Sequence, residues 1–437
     1  MKRISLLSLT LILMFASGCG FIQRKPESLT ETKGSPDTTP IYQYDGWIIA
    51  RASVHNHTTF SDGCFIPEDL VKQARKEGIA VLAITDHREG EICLGNTKSK
   101  GLCVDMGGID TKKRGYKKYF EAISKLAAES KSPLILLGME VGPYFWNTGV
   151  APYFNFTAAH WHFTTYNIND VSVYENMPVR KQLMAFRERD PGLKPYIEWV
   201  DYMIKNGALV FQAHPDSSDY EKYYTAMLLA VAPIQLTDNI PNLTGVAIIP
   251  SGLTHVGIPG GEWDTAQLQY MAGLRNAPLW GWGESDFECP PDSLRRGTTM
   301  FYVKELSKEN VLAAMKTGKM IALMGADFQD IYVQEFSVGD GKASDRKIMF
   351  GESVKLNGPA VVRFSTNKDA PGQEVRLIRN GKVIYTGKTS KFEFRDEEAA
   401  KSKDKVFYRV GVEGQGPFEI EEGNRLFTNP IFVDWNK

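Results

Sequence analysis

The chain has 437 residues, 43% hydrophobic and 24% charged, with Lys+Arg 51 against Asp+Glu 52 and a formal net charge of -1. That much apolar and aromatic content excludes a disordered, collagen-like or coiled-coil chain, and the lack of a basic excess leaves no electrostatic footprint for nucleic acid. The length suits two or three domains at roughly 150 residues each, and the composition is that of a globular enzyme.

Lys2 and Arg3 precede an apolar run from Ile4 to Phe15, and Ala16, Ser17, Gly18 and Cys19 follow. A positive start, a short apolar stretch and small residues read as a secretory signal peptide; the run is far short of the ~20 residues of a spanning helix. An uncleaved N-terminal anchor is the competing reading. The ending resembles the bacterial lipobox, with Ala16 where Leu is usual, and that resemblance implies lipidation at Cys19. Gly20 to Pro40 is rich in Pro, Ser, Thr, Glu and Lys, the composition of a flexible tether. Residues 1–18 are thus expected to be a lipoprotein signal peptide and 19–44 a lipidated tether. The protein would be exported and held at a bacterial membrane, on its periplasmic or cell-surface side. Four further cysteines, Cys64, Cys93, Cys103 and Cys289, permit two disulfides. Cys93 and Cys103 are close in sequence and make the natural first pair, with the other two left by elimination.

From Trp47 onward, β-rich runs alternate with helical ones. Strands are expected at Ile48–Val54, Ile79–Ile84, Leu134–Leu137, Thr157–Phe163, Ala208–Gln212, Thr244–Ile249 and Pro278–Trp282. Helices are expected at Pro67–Glu77, Gly115–Ala128, Lys194–Lys205 and Asp264–Leu274. The series ends with strand Thr298–Val303, helix Lys308–Lys316 and strand Met320–Met324. Such alternation implies parallel pairing, hence a barrel or a doubly wound sheet. After about Ala326 the runs shorten and alternate, and Asn380-Gly381 is a strong two-residue hairpin signal. A β-sandwich accessory domain is expected over 326–437, without chemistry of its own.

All seven histidines lie near a candidate strand. His55 and His57 follow the first as His-Asn-His-Thr-Thr-Phe-Ser-Asp-Gly, Asp86-His87 the second, and Glu140 ends the third. His160 and His162 lie on the fourth, His214-Pro215-Asp216 ends the fifth, His255 follows the sixth, and Glu284-Ser285-Asp286-Phe287-Glu288 ends the seventh. In barrels the loops at the C-terminal strand ends converge on one mouth, so these residues are expected in one pocket. His-x-His puts two imidazoles on one strand face, and with carboxylates from neighbouring strands this suits a divalent metal. A structural metal site would favour Cys-rich tetrahedra, which this pattern is not.

This ordered set, with Ile-Thr-Asp-His, Gly-x-Glu, Ala-His-Pro and a final Ser-Asp, resembles the PHP (polymerase and histidinol phosphatase) superfamily of metal-dependent hydrolases over about residues 47–325. The tail ending Thr428-Asn429-Pro430-Ile431 resembles the carbaryl-hydrolase-type branch. The resemblance implies an α/β fold, a distorted (β/α)7 PHP-type barrel at 45–325 followed by the C-terminal β-sandwich domain, with two or three divalent metal ions (Mn, Fe or Zn). It places His55, His57, Glu140 and Asp286 on the first metal. Glu140 would bridge to a second, held also by His214 and by His162 or His160. Asp62, His87 and Glu288 would hold the third, Glu288 standing where the family usually has His; that makes a harder, oxygen-richer site. His255 is a possible substitute or an ordinary surface residue. Asp286, His214 and His87 are the candidate catalytic residues. Because Cys64 follows Asp62 closely and Cys289 follows Glu288, the resemblance also implies a Cys64–Cys289 disulfide.

The implied reaction is hydrolysis by a metal-activated water, with no covalent nucleophile and no Gly-x-Ser-x-Gly elbow. Asp86 is placed to orient His87 or another ligand, or to cap a helix. Arg88, Arg295 and Arg296 are candidate anion clamps or surface charges, and Trp146, Tyr153, Phe154, Phe156 and Trp161 could wall a pocket. A small, anionic substrate and a phosphoesterase are favoured, with the membrane as partner through the lipid and no nucleic acid. Amide, ester or carbamate hydrolysis is the alternative, and a non-catalytic, membrane-tethered binding protein the rival class.

Overall fold

The structure is a computed structural model and describes residues 41–88, 91–93, 103–105, 115–150, 153–157, 161–181, 193–216, 238–328, 330–341, 348–414 and 423–436. The expected signal peptide, Cys19 and all but the end of the expected tether lie outside the described residues. That end, Ile41–Tyr44, forms a strand against Trp47–Ser53, because Asp45 and Gly46 both take positive φ and close a two-residue turn. No helix among the described residues is long and apolar enough to cross a membrane.

Helices form where apolar residues recur at helical spacing. Lys194–Lys205 opens with Pro195 in its first turn and buries Tyr196, Trp199, Val200 and Met203, one stripe facing the sheet. Pro67–Lys76 sets Glu68 and Asp69 at its positive end and Arg75 and Lys76 at its negative end, and buries Leu70, Val71 and Ala74. Burying a side chain such as Val71 or Leu70 contributes about 1.5–3 kcal/mol.

The strands join in one mixed sheet whose order fixes the site. It runs Trp280–Gly283, Gly245–Ile249, Leu209–Gln212, Phe163–Tyr166, Leu134–Val141, Val81–Ile84, Trp47–Ser53, Gly297–Val303 and Met320–Met324. Trp47–Ser53, Val81–Ile84 and Leu134–Val141 are parallel, as are Leu209–Gln212, Gly245–Ile249 and Trp280–Gly283. The chain beyond Trp280–Gly283 returns to the first strand's extension, where Asn56 and Phe287 form a parallel bridge. His57 N–H donates to Phe287 O and Phe287 N–H to His55 O.

The fourth strand differs from expectation. Tyr153–Thr157 pairs with Tyr144–Val150 in a separate sheet, and Phe163–Tyr166 takes the place in the main sheet, antiparallel to both neighbours. Thr164 and Thr165 are fully buried there, so a short β-branched run outcompeted the more aromatic one upstream. The reversal puts the N-terminal end of this strand, not its C-terminal end, beside the C-terminal ends of the others.

The sheet does not stop at Ala326. Met320–Met324 pairs with Arg425–Thr428, followed by Val406–Glu413, Glu374–Arg379 and Lys382–Gly387. The expected hairpin turn is present, with Asn380 at φ 50 and Gly381 at φ 79. A second sheet of Val333–Gly339, Ala360–Thr366 and Phe392–Asp396 packs Phe336, Val362 and Phe364 into one cluster with Val375, Leu377, Tyr408 and Val410. The Thr428-Asn429 dipeptide serves backbone, not chemistry. Asn429 accepts from Gly281 N–H at 2.8 Å and donates to the carbonyls of Gly281 and Met320, each at 2.9 Å, satisfying the edge of Trp280–Gly283. Nearby, Arg409 is wholly buried and grips Asp264 through Nε at 2.6 Å and Nη2 at 2.7 Å, with its guanidinium 4.7 Å from the Trp263 ring.

Candidate metal centre

Every expected ligand among the described residues except Glu288 joins one connected cluster, and Glu140 is its hub. The parallel bridge between His87 and Glu140 brings the second and third strand ends level. Glu140 Oε2 lies 3.1 Å from His55 Nε2, 3.2 Å from His57 Nε2 and 2.9 Å from His87 Nδ1. Its Oε1 lies 3.0 Å from His162 Nδ1 and 3.1 Å from His214 Nε2. Asp286 Oδ1 stands 3.3 Å from Nε2 of both His55 and His57. Asp62 reaches His57 Nδ1 through Oδ1 and His87 Nε2 through Oδ2, each at 3.3 Å. Three groups have ligand atoms close enough to share an ion: His55, His57, Glu140 and Asp286; His57, Asp62 and His87; and His87, Glu140 and His162. His162 belongs to the site because its strand runs backwards, which places the residue before Phe163 at the shared mouth.

The electrostatics fit cations. Burial opposes protonation of His55, but the carboxylates of Glu140, Asp286 and Glu284 outweigh it and hold the ring up at about 10. His57 and His87 are raised well above the ordinary histidine value, burial being overcome by Asp62 at His57 and by Glu140 and Asp62 at His87. Burial pushes the Glu140 carboxyl up, yet His87, His55 and His162 take it well below the usual range; Asp62 and Asp286 are likewise depressed by their imidazoles. Imidazoles so eager for protons report a strongly negative pocket. Glu140 Oε2 and Asp62 Oδ1 are buried and accept no hydrogen bond, although imidazole nitrogens surround them within 3.3 Å. Buried carboxylate oxygens crowded by imidazole nitrogens are the arrangement a divalent ion satisfies, and nitrogen with carboxylate oxygen suits Mn, Fe or Zn.

The supporting contacts explain the spacing of His-x-His-Thr-x-x-Ser-Asp-Gly in physical terms. Buried Asp86 accepts from Thr58 N–H at 2.7 Å, Thr58 Oγ1 at 2.8 Å, Ser61 N–H at 3.0 Å and Ser61 Oγ at 2.7 Å. It therefore shapes the loop that carries His57 and Asp62, and caps no helix. A Cβ at Gly63 would run into the His57 carbonyl, so only glycine lets the chain double back there. Two cluster residues sit in the left-handed region, His214 at φ 28 and Asp286 at φ 50, a conformation that costs about 1–3 kcal/mol and gathers at functional sites.

Residues 53–246 match the PHP domain family. That match covers less than half of the chain. Its matched span holds His55, His57, Asp62, His87, Glu140, His162 and His214, and ends before Asp286. No curated protein matches the chain. Among solved structures it is similar to a two-domain protein of Bacteroides vulgatus containing a predicted PHP-like metal-dependent phosphoesterase, at 14% identity and TM-score 0.40, covering 92% of this chain and 100% of that one. A candidate metal-dependent phosphoesterase of Bifidobacterium adolescentis is similar at 16% identity and TM-score 0.29, covering 55% and 90%. An amidohydrolase of Chromobacterium violaceum, with bound sulfate and no metal, is similar at 13% identity and TM-score 0.26, covering 55% and 89%.

Other expected residues fall at the margin of the cluster or outside it. Glu288 joins none of the three groups; it stays near enough to Asp62 and Asp286 that burial and their charges push its carboxyl up to about 6. His160 lies outside the described residues. His255 pairs with Asp216 at 3.4 Å and not with the cluster. Arg88 donates from Nε to Tyr116 at 2.9 Å, and Arg295 lies beside Arg51 and Tyr42. Trp161 is core, packed edge-on against Tyr196 at 4.9 Å. Sequence reasoning missed Glu284 as a participant, although it opens the Glu284-Ser285-Asp286-Phe287-Glu288 run that holds Asp286.

Cys64 and Cys289 form a disulfide with Cα atoms 5.2 Å apart, and Cys64 N–H donates to Glu288 O at 2.9 Å. The loop that carries Asp62 and the loop that carries Asp286 and Glu288 are thereby tied together. Cys93 and Cys103 stand opposite each other in a strand pair. A non-reducing digest analysed by mass spectrometry should yield one peptide linking Cys64 to Cys289; recovery of both as unmodified free thiols would contradict the pairing.

Proposed function

We propose that this protein is a metal-dependent hydrolase acting on phosphoesters. The observation that carries the reading is Glu140, one buried carboxylate whose two oxygens face separate imidazole sets. His55, His57 and Asp286 would hold one ion with Glu140 Oε2. His162 and His214 would hold a second with Glu140 Oε1, and Asp62 with His87 a third, Glu288 standing beside it. Divalent ions held there supply Lewis acidity and make water a nucleophile near neutral pH.

The residues divide into floor and rim. His55, His57 and Glu140 are fully buried, whereas Asp286 is 36% exposed, His87 20% and His162 17%. Substrate therefore meets Asp286, His87 and His162 first, with His214 behind them, and the buried residues hold the frame. Depressed carboxylates at Asp62, Glu140 and Asp286 would repel an anionic substrate, so the pocket takes one only when cations offset them. The fold that frames this is a distorted (β/α)7 barrel at 45–325 with a β-sandwich at 326–437. In the cell the protein would be tethered through Cys19 on the periplasmic or cell-surface side of a bacterial membrane.

A panel of chromogenic phosphate monoesters, diesters, carboxylic esters, amides and carbamates, run with Mn2+, Fe2+ or Zn2+ and again with chelator, tests the activity. Chelator-sensitive turnover led by phosphoesters is expected. Turnover led by esters, amides or carbamates would move the substrate class, and no turnover across the panel would favour the binding-protein reading.

A further inference from the structure

We infer that Glu284 is a positioning residue of this centre, whose two carboxylate oxygens set the ring tautomer of His55 and the backbone of His214. The inference rests on the reading of the cluster as a metal centre. Glu284 is buried just after strand Trp280–Gly283, two residues before Asp286. Ser285, between them, faces away and bonds to Ser53 at 2.8 Å and Asn56 at 3.0 Å. Glu284 meets His55 Nδ1 and the main-chain N–H of His214, so its place is behind the ligands.

Its two oxygens do different work. Oε2 lies 3.1 Å from His55 Nδ1, and Oε1 accepts the main-chain N–H of His214 at 2.5 Å. A carboxylate oxygen accepts a hydrogen bond, so His55 presents Nδ1–H to it. When His55 gives up its other proton to bind an ion, the lone pair is on Nε2, the atom 3.1 Å from Glu140, 3.3 Å from Asp286 and 3.1 Å from His57 Nε2. The opposite tautomer would point a proton at those groups and a lone pair at a carboxylate. The bond to His214 N–H pins a residue whose φ of 28 is sparsely populated, and so aims His214 Nε2 at Glu140 Oε1, 3.1 Å away. One side chain thus couples a ligand of the first ion to a ligand of the second. Removing such an outer carboxylate typically weakens metal affinity about 10- to 100-fold.

Glu284→Gln is the discriminating change, because it keeps the shape but offers one oxygen and one NH2 to two donors. Zn2+ affinity of the metal-free full-length proteins is measured by competition with a chromophoric chelator, with thermal melting of both as the folding control. The expected result is binding by wild type and about 10- to 100-fold weaker binding by Glu284→Gln, with unchanged melting of the metal-free protein. Equal affinity in the two would overturn the positioning role while leaving the metal centre standing. No binding by wild type would overturn the metal-centre reading and this inference with it. Should Glu284→Gln fail to fold, imidazole 15N spectra of Zn2+-loaded wild type decide: His55 as an Nδ1–H ring supports the inference, and His55 as an Nε2–H ring overturns it.

Discussion

Glu140→Ala is expected to abolish metal retention and to lower turnover by at least about 100- to 1,000-fold, since Lewis-acid polarisation is worth several kcal/mol and each ~1.4 kcal/mol is a factor of ten. The size follows from its position: it faces His55, His57 and His87 with one oxygen and His162 and His214 with the other. Losing a rim group disturbs one ion, whereas losing Glu140 removes the shared ligand of two. His255→Ala serves as the control, because His255 is 43% exposed and paired with Asp216 outside the cluster. Metal content and steady-state rates of the two variants beside wild type check this. A Glu140→Ala protein that keeps its metal and its rate would leave the hub assignment without support.

The second large effect is on stability. Asp264→Ala should destabilise the protein by about 3–5 kcal/mol, because it strands the Arg409 guanidinium in a buried position with its charge unpaired. Asp264 lies on the helix Glu262–Met271 and Arg409 on the strand Val406–Glu413, so the pair joins the metal-bearing part to the C-terminal sheets. Arg409 also donates to the carbonyls of Gly257 at 3.2 Å and Ile258 at 3.1 Å, and these too lose a partner when it swings away. Replacing both residues together, as Asp264→Leu with Arg409→Met, should recover most of the loss, since a buried ion pair and a packed apolar pair often come out nearly level. Denaturant midpoints for the two singles and the double measure this. A single change that costs less than about 1 kcal/mol would place the pair among surface bridges in effect.

Much of the centre was legible in the sequence because metal chemistry constrains both residue type and spacing. His-x-His, Asp-His and Gly-x-Glu each read correctly as strand-end groups, since parallel strands deliver their C-terminal ends to one side. The fourth strand broke that logic: aromatic Thr157–Phe163 looked the better strand, yet Phe163–Tyr166 entered the sheet and ran the other way. His162 still reached the site, from the opposite end of its strand. The Cys64–Cys289 pairing was reached twice, by elimination among the four cysteines and from the motifs meeting in space. Glu284 escaped notice because its partners are His55 Nδ1 and a main-chain N–H, neither of which leaves a mark on spacing. Asp264 and Arg409, 145 positions apart, form a contact that no local pattern announces.

Elemental analysis of the purified protein after loading with Mn2+, Fe2+ or Zn2+ and removal of excess ion tests the central claim most directly. The geometry predicts at least two equivalents per chain, one on each side of Glu140. Less than one equivalent under every loading condition would contradict a metal-dependent hydrolase and leave the binding-protein reading in the lead.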